Sequence, residues 1–110
     1  MKIYHLIDRE AWEKTKLKEF YRPESFDELG FIHFSTKEQV IPTANRRYKG
    51  RNDILVLVVD KDKLPVKVVF EDLDNRGEKH PHVYGELPVN LVEKVIRLKL
   101  NRSEDFEIFL

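Results

Sequence analysis

The chain contains no cysteine. Disulfide bonds, thiolate metal sites and a cysteine nucleophile are therefore excluded. Glycine is scarce, with four residues in all. Neither a P-loop nor a Gly-x-Gly-x-x-Gly turn occurs, so the two commonest phosphate cradles are missing. There is no His-Glu-x-x-His motif and no nucleophile-elbow sequence around a serine, which discounts a triad assembled from Ser35, His82 and Glu71. No apolar run approaches the roughly 20 residues that a membrane-spanning helix needs. Met1 to His5 passes straight into strand-like sequence without the apolar centre of a signal peptide. A surplus of one charge is missing too: 20 Lys and Arg face 20 Asp and Glu. That balance argues against a protein whose main task is gripping nucleic-acid backbone. One local basic cluster exists, Arg46, Arg47, Lys49 and Arg51. It reads either as a solvated helix end, where cations suit the dipole, or as a phosphate or RNA contact strip. Together these absences predict a soluble cytoplasmic protein with no membrane partner.

What is present suffices for one small core. The 110 residues, 41% of them hydrophobic, allow one domain over 1–110. The 36% charged content, rich in Lys and Glu, with a single Met, is of thermophilic type.

Lys2 to Ile7 reads as a first strand. Asp8 caps a short helix over Arg9 to Lys16 that carries Trp12. Leu17 to Tyr21 suggests a short strand, stopped by Arg22-Pro23, and Ser25 to Leu29 a turn of helix closed by Gly30. Phe31 to Phe34 reads as a buried strand. Ser35 and Thr36 open a helix with two overlapping capping boxes to Glu38 and Gln39; Pro42 should kink or divide it before it resumes to Tyr48. Ile54 to Val59 is the clearest central strand. Val66 to Phe70 is the next, ending in Glu71, and Asp72 to Lys79 is a loop. Extended structure resumes at Val83 and Tyr84, and Val92 to Leu100 alternates well enough for a strand. Phe106 to Leu110 suggests an edge strand. The total is roughly six to eight strands with two or three short helices, an α+β layout and not a regular βαβ series.

Histidines interrupt this pattern at three places: Ile3-Tyr4-His5-Leu6, Gly30-Phe31-Ile32-His33-Phe34-Ser35-Thr36, and His80-Pro81-His82-Val83-Tyr84-Gly85. Burying an imidazole costs free energy unless its nitrogens find partners, so the three pieces form a candidate site. His5 and His33 each stand near a strand end before a helix, a natural place for a ligand. Ser35 is two residues from His33, so in extended backbone both face one side and offer an imidazole and a hydroxyl to one ligand. The amides at the Ser35-Thr36 helix start could hold an anion. His80, His82 and Tyr84 share a parity, and Gly85 lets the chain turn or a ligand come close. A His-x-His pair could bind zinc with His5, His33 or Glu71 completing the set, a weak signal at this spacing. The plain alternative is a small stable domain whose histidines are satisfied satellites of the core.

The three pieces in this order resemble a bacterial family known as domain of unknown function 952. Its pattern has a strand like Ile3 to Leu6, the Gly30 to Thr36 block followed by Gln39, an acidic residue matching Glu71, and a Pro81-His82-Val83-Tyr84-Gly85 block. His80 departs from it, since the family tends to place an aromatic or apolar residue there. The family looks like a compact ADP-ribosyltransferase-like fold. The resemblance implies a curved, split β-sheet sandwich with a cleft between two small sheets. In the related RNA 2′-phosphotransferases two strand histidines line an NAD pocket, and His5 and His33 match them by position. The third signature position falls in His82 to Tyr84. Tyr4 stands where those enzymes place an arginine, and Glu71 and Glu86 are the candidates for an acceptor-activating glutamate.

The resemblance implies a mechanism in which NAD is a substrate. His5 and Ser35 would hold ribose or amide groups, His33 and His82 would handle protons or a pyrophosphate, and Tyr84 or Tyr21 would stack on a flat ring. ADP-ribose or a phosphoryl-linked group would pass to an acceptor that the residues do not identify. A non-catalytic nucleotide or small-metabolite binding module is the alternative.

Overall fold

The computed structural model describes residues 1–107. In chain order the elements are β1 (Lys2–Asp8), α1 (Arg9–Thr15), β2 (Phe20–Tyr21), α2 (Phe26–Leu29), β3 (Ile32–His33), α3 (Lys37–Tyr48), β4 (Ile54–Asp60), β5 (Lys67–Glu71), β6 (His80–Tyr84), β7 (Leu87–Pro88) and β8 (Val92–Arg97). The strands form three antiparallel sheets, ordered β1-β4-β8, β2-β7 and β3-β6-β5. The class is α+β in a single domain.

β4 lies in the middle because it is apolar on both faces. Leu55, Leu57 and Val59, with Ile3 and Ile7 of β1, meet Ile32, Val83, Tyr21 and Leu87 from the two smaller sheets and Phe34 just after β3. Ile54, Val56 and Val58, with Tyr4, meet Val40, Ile41 and Ala44 of α3. The first sheet is thus covered by α3 on one face and by both smaller sheets on the other. His5 has the parity of Ile3 and Ile7, so it is carried into the core between the sheets.

Local signals explain most elements. The Asp8 carboxylate accepts from Ala11 N at 2.8 Å and starts α1. Gly30 closes α2 at φ 80°, a left-handed backbone that suits glycine. Gln39 Oε1 accepts from Thr36 N at 3.0 Å at the start of α3.

Several expectations need correction. α3 runs unbroken through Pro42. The proline is exposed, so the carbonyl it leaves without a helical donor can turn to water. The strand expected over Leu17 to Tyr21 shortens to Phe20–Tyr21, with Leu17 88% exposed and unable to gain burial there. Its pairing with β7 makes a separate small sheet, so the described residues form three sheets where two were expected. β6 starts at His80, inside the segment read as leading up to extended structure. Pro81 sits there in the central strand of its sheet, normally a forbidden place. Its carbonyl accepts from Phe34 N at 2.9 Å. The nitrogen of a strand residue faces the same side as its carbonyl, so the missing N–H leaves the ladder to β5 intact. Of the expected edge strand, Phe106 makes an isolated bridge to Leu100, Glu107 is not in a strand, and 108–110 lie outside the described residues.

Candidate functional site

Sheet register assembles the site. His33 of β3 lies directly opposite His82 of β6, and His80 lies opposite Glu71 of β5. Opposed residues share a face, and parity adds His82 and Tyr84 to His80. One sheet face therefore carries Glu71, His80, His82, Tyr84 and His33.

These side chains form a continuous chain of hydrogen bonds. Glu71 Oε1 accepts from the Tyr84 hydroxyl and lies 2.9 Å from His82 Nδ1. His82 Nε2 lies 3.1 Å from His33 Nδ1. The Tyr84 hydroxyl, then His82, hold the Glu71 carboxyl below its ordinary range. A carboxylate only accepts, so His82 Nδ1 donates to it. When His82 is neutral its Nε2 then accepts, and His33 Nδ1 donates. The remaining nitrogen, His33 Nε2, is a buried acceptor with no hydrogen-bond partner among the described residues. Burial chiefly, then Arg47 and the other three histidines, push His33 down to about 3, so this ring is neutral.

His5 joins from β1. Its Nδ1 donates to the His33 carbonyl at 2.7 Å; its Nε2 therefore accepts from the Tyr21 hydroxyl at 2.8 Å. Burial dominates here as well, opposed by the His33 carbonyl and aided by Arg47, and His5 falls to about 4. Burial raises Tyr21, so its hydroxyl keeps its proton. All the tautomers along this path are thus set by one carboxylate and one backbone carbonyl.

A cleft of about 530 Å³ opens between α1, the segment after β2, and α3. Its lining includes His5, His33, Ser35, Tyr21, Thr43 and Arg47. Among the described residues Arg47 forms no ion pair, whereas Lys49 and Arg51 pair with Asp105 and Asp53. The basic cluster therefore divides: Arg47 lines the cleft, Arg46 does not, and Lys49 and Arg51 are bound to neighbouring acids.

The structure splits the expected site residues into groups. His5, His33, Ser35 and Tyr21 line the cleft. Glu71, His82 and Tyr84 do not; they stand behind His33 and reach the cleft only through it. Tyr21 is buried and hydrogen-bonded, so it offers no free ring face for stacking. The Ser35 and Thr36 amides are not free for an anion: Ser35 N donates to Tyr4 O at 2.7 Å and Thr36 N to Gln39 Oε1 at 3.0 Å. Gly85 faces protein and not the cleft, since a Cβ there would lie 2.5 Å from Val66 Cγ1. The zinc alternative finds no support: among the described residues no three or more histidines and acids are arranged to hold a metal ion. The reason is local, because His82 spends both ring nitrogens on Glu71 and His33.

One contributor, Phe31, escapes the sequence pattern, and a second, His80, takes a larger part than the family pattern implies. Phe31 stacks on His82 with centroids 4.1 Å apart and planes at 16°. Its spacing of two from His33 was the available signal. His80 is not peripheral: it is buried, with its ring 4.9 Å from His33 and Nε2 3.3 Å from Glu78. Gln39 Nε2 donates to Lys79 O at 2.7 Å, tying α3 to the start of β6.

The family described as protein of unknown function, DUF952, matches residues 6–95. The chain is a DUF952 protein. No curated protein is significantly similar to it. This DUF952 chain is similar to solved structures of protein CC0527 from Caulobacter crescentus. One crystal structure is 26% identical with a TM-score of 0.86, covering 97% of this chain and 94% of that one. A crystal structure of a double mutant is 25% identical with the same TM-score of 0.86 and the same coverage. A solution NMR structure is 27% identical with a TM-score of 0.83, covering 94% of this chain and 90% of that one.

Proposed function

We propose that the cleft binds NAD or a related nucleotide and serves the transfer of ADP-ribose or a phosphoryl-linked group. The observation that carries this reading is the cleft lining: two neutral, tautomer-locked histidines, a serine and an arginine with no ion pair among the described residues, around one space. About 530 Å³ falls within the roughly 300–1,000 Å³ typical of small-molecule sites. Arg47 supplies a cation for a phosphate, and His33 supplies a neutral imidazole at the cleft wall. In transfer from NAD the nicotinamide departs from a cation-like ribose, and the protein chiefly positions the reactants and stabilises charge.

Calorimetric titration with NAD, ADP-ribose and nicotinamide tests the reading. Heat is expected with NAD and ADP-ribose, lost in His33→Ala. No heat with any of the three would refute it. A non-catalytic binding module is favoured by one observation: neither Glu71 nor Glu86 lines the cleft. Binding of NAD without release of nicotinamide would select that module.

A further inference from the structure

The hydrogen-bonded chain Tyr84–Glu71–His82–His33 has a direction. It starts at a partly exposed carboxylate and ends at a buried nitrogen with no partner among the described residues. Hydrogen bonding alone would allow either direction along two imidazoles; the carboxylate removes that freedom, because it cannot donate. Phe31 packed flat on His82 and the pairing of β3 with β6 keep both rings in register.

We propose that Glu71 and His82 are positioning residues which hold His33 as a general base: the residue lines the cleft, and its Nε2, buried and without a partner among the described residues, takes the proton of an acceptor hydroxyl once the bound acceptor reaches it. This inference rests on the reading of the cleft as a nucleotide-transfer site. It also removes the difficulty that neither Glu71 nor Glu86 lines the cleft, because Glu71 acts there through two histidines.

In the transfer step the acceptor O–H bond breaks and an Nε2–H bond forms on His33. The oxygen keeps the electron pair and bonds to the ribose carbon of NAD, as the bond from that carbon to nicotinamide breaks and nicotinamide leaves with its pair. A buried imidazolium is disfavoured at His33, first by burial and then by the charges that Arg47 of α3, His80 and His82 of β6, and His5 of β1 bring near it; the His80 and His82 rings lie 4.9 Å and 5.1 Å from it. The relay lowers that cost. As Nε2 gains a proton, His33 Nδ1 can pass its own to His82 Nε2, and His82 Nδ1 can pass its own to Glu71. The net result is a neutralised carboxyl at the more exposed end, with no cation left on His33.

The test is imidazole nitrogen NMR on ¹⁵N-labelled protein without ligand. Near neutral pH, His5, His33 and His82 are expected as the Nδ1–H tautomer, the one a free imidazole in water favours less. In Glu71→Gln the side-chain amide can donate to His82 Nδ1, which permits the reversed chain. His33 should then show an Nε2–H population that the wild type lacks, although residue 71 does not touch it. His5 should stay unchanged, because the His33 carbonyl pins it; that distinguishes a tautomer switch from a disturbed fold. Nε2–H on His33 in the wild type, or an unaltered His33 in Glu71→Gln, would overturn the relay. These spectra do not depend on NAD, so a failure to bind NAD would count against the proposed function alone. With turnover of NAD, Glu71→Gln should lower kcat about 10²-fold at unchanged KM; an unchanged kcat would overturn the base role.

Discussion

Replacing Tyr21 by Phe removes one oxygen and nothing else, which makes its consequence calculable. The hydroxyl is the donor to His5 Nε2 at 2.8 Å, and both residues are more than nine-tenths buried, His5 at 8% and Tyr21 at 6% exposure. The rings stay in contact, with centroids 5.3 Å apart, so the void is no larger than a hydroxyl and adds little. The dominant loss is a buried acceptor left without its donor, about 1–3 kcal/mol. His5 cannot recover by changing tautomer, since Nδ1 is committed to the His33 carbonyl at 2.7 Å. With a urea slope of about 1–3 kcal/mol/M for a small domain, the midpoint should fall by roughly 1 M. Urea unfolding of wild type, Tyr21→Phe, His5→Leu and the double mutant completes a cycle. The double mutant should cost about 1–2 kcal/mol less than the sum of the singles, because it leaves neither nitrogen nor hydroxyl stranded on that side. A Tyr21→Phe midpoint equal to that of wild type, or simple addition of the two singles, would show that this hydrogen bond does not hold His5 as described.

Acid should weaken the fold before the carboxylates titrate. His5 and His33 take up protons near 6.5 when unfolded but only near about 4 and about 3 when folded. The unfolded chain therefore binds more protons below pH 6.5, so the stability fully present above that value is lost as pH falls toward 4 and then 3. The slope approaches about 1.4 kcal/mol per pH unit for each ring; a urea midpoint unchanged between pH 7 and pH 5 would contradict it. Gly85→Ala should destabilise by about 1–3 kcal/mol through overpacking, read as a lowered Tm. A Cβ there would lie 2.5 Å from Val66 Cγ1 and 2.9 Å from Val66 Cβ, so Val66→Ala should restore only part of the loss. An unaltered Tm in Gly85→Ala would show that the backbone at Gly85 shifts freely away from Val66.

Much of the frame was legible because it depends on short-range pattern. β1, β4, the Asp8 cap, the Gly30 stop and the α3 start all follow from neighbours in sequence. Pro42 misled because its cost depends on which face of the helix it occupies, and exposure is a tertiary property. Pro81 misled for a similar reason, since its tolerance depends on which side of β6 its carbonyl faces. The site was legible as a set of residue types at alternating positions. Which of them line the cleft was not, and neither was the separation of Arg47 from Lys49 and Arg51.

Residue order is enough to place His5, His33 and Tyr21 in strand-like sequence, and Glu71 at a strand end, where bare burial is costly. Parity is enough to put His80, His82 and Tyr84 on a shared face. The order of bonding has a different origin, in the folded arrangement of the sheets. Residues 33, 71 and 82 become neighbours through antiparallel register between strands far apart in the chain. The orientation of each imidazole then depends on whether the group beside it can donate. A carboxylate at one end and a carbonyl at the other settle that choice, and neither contact leaves a trace in sequence spacing.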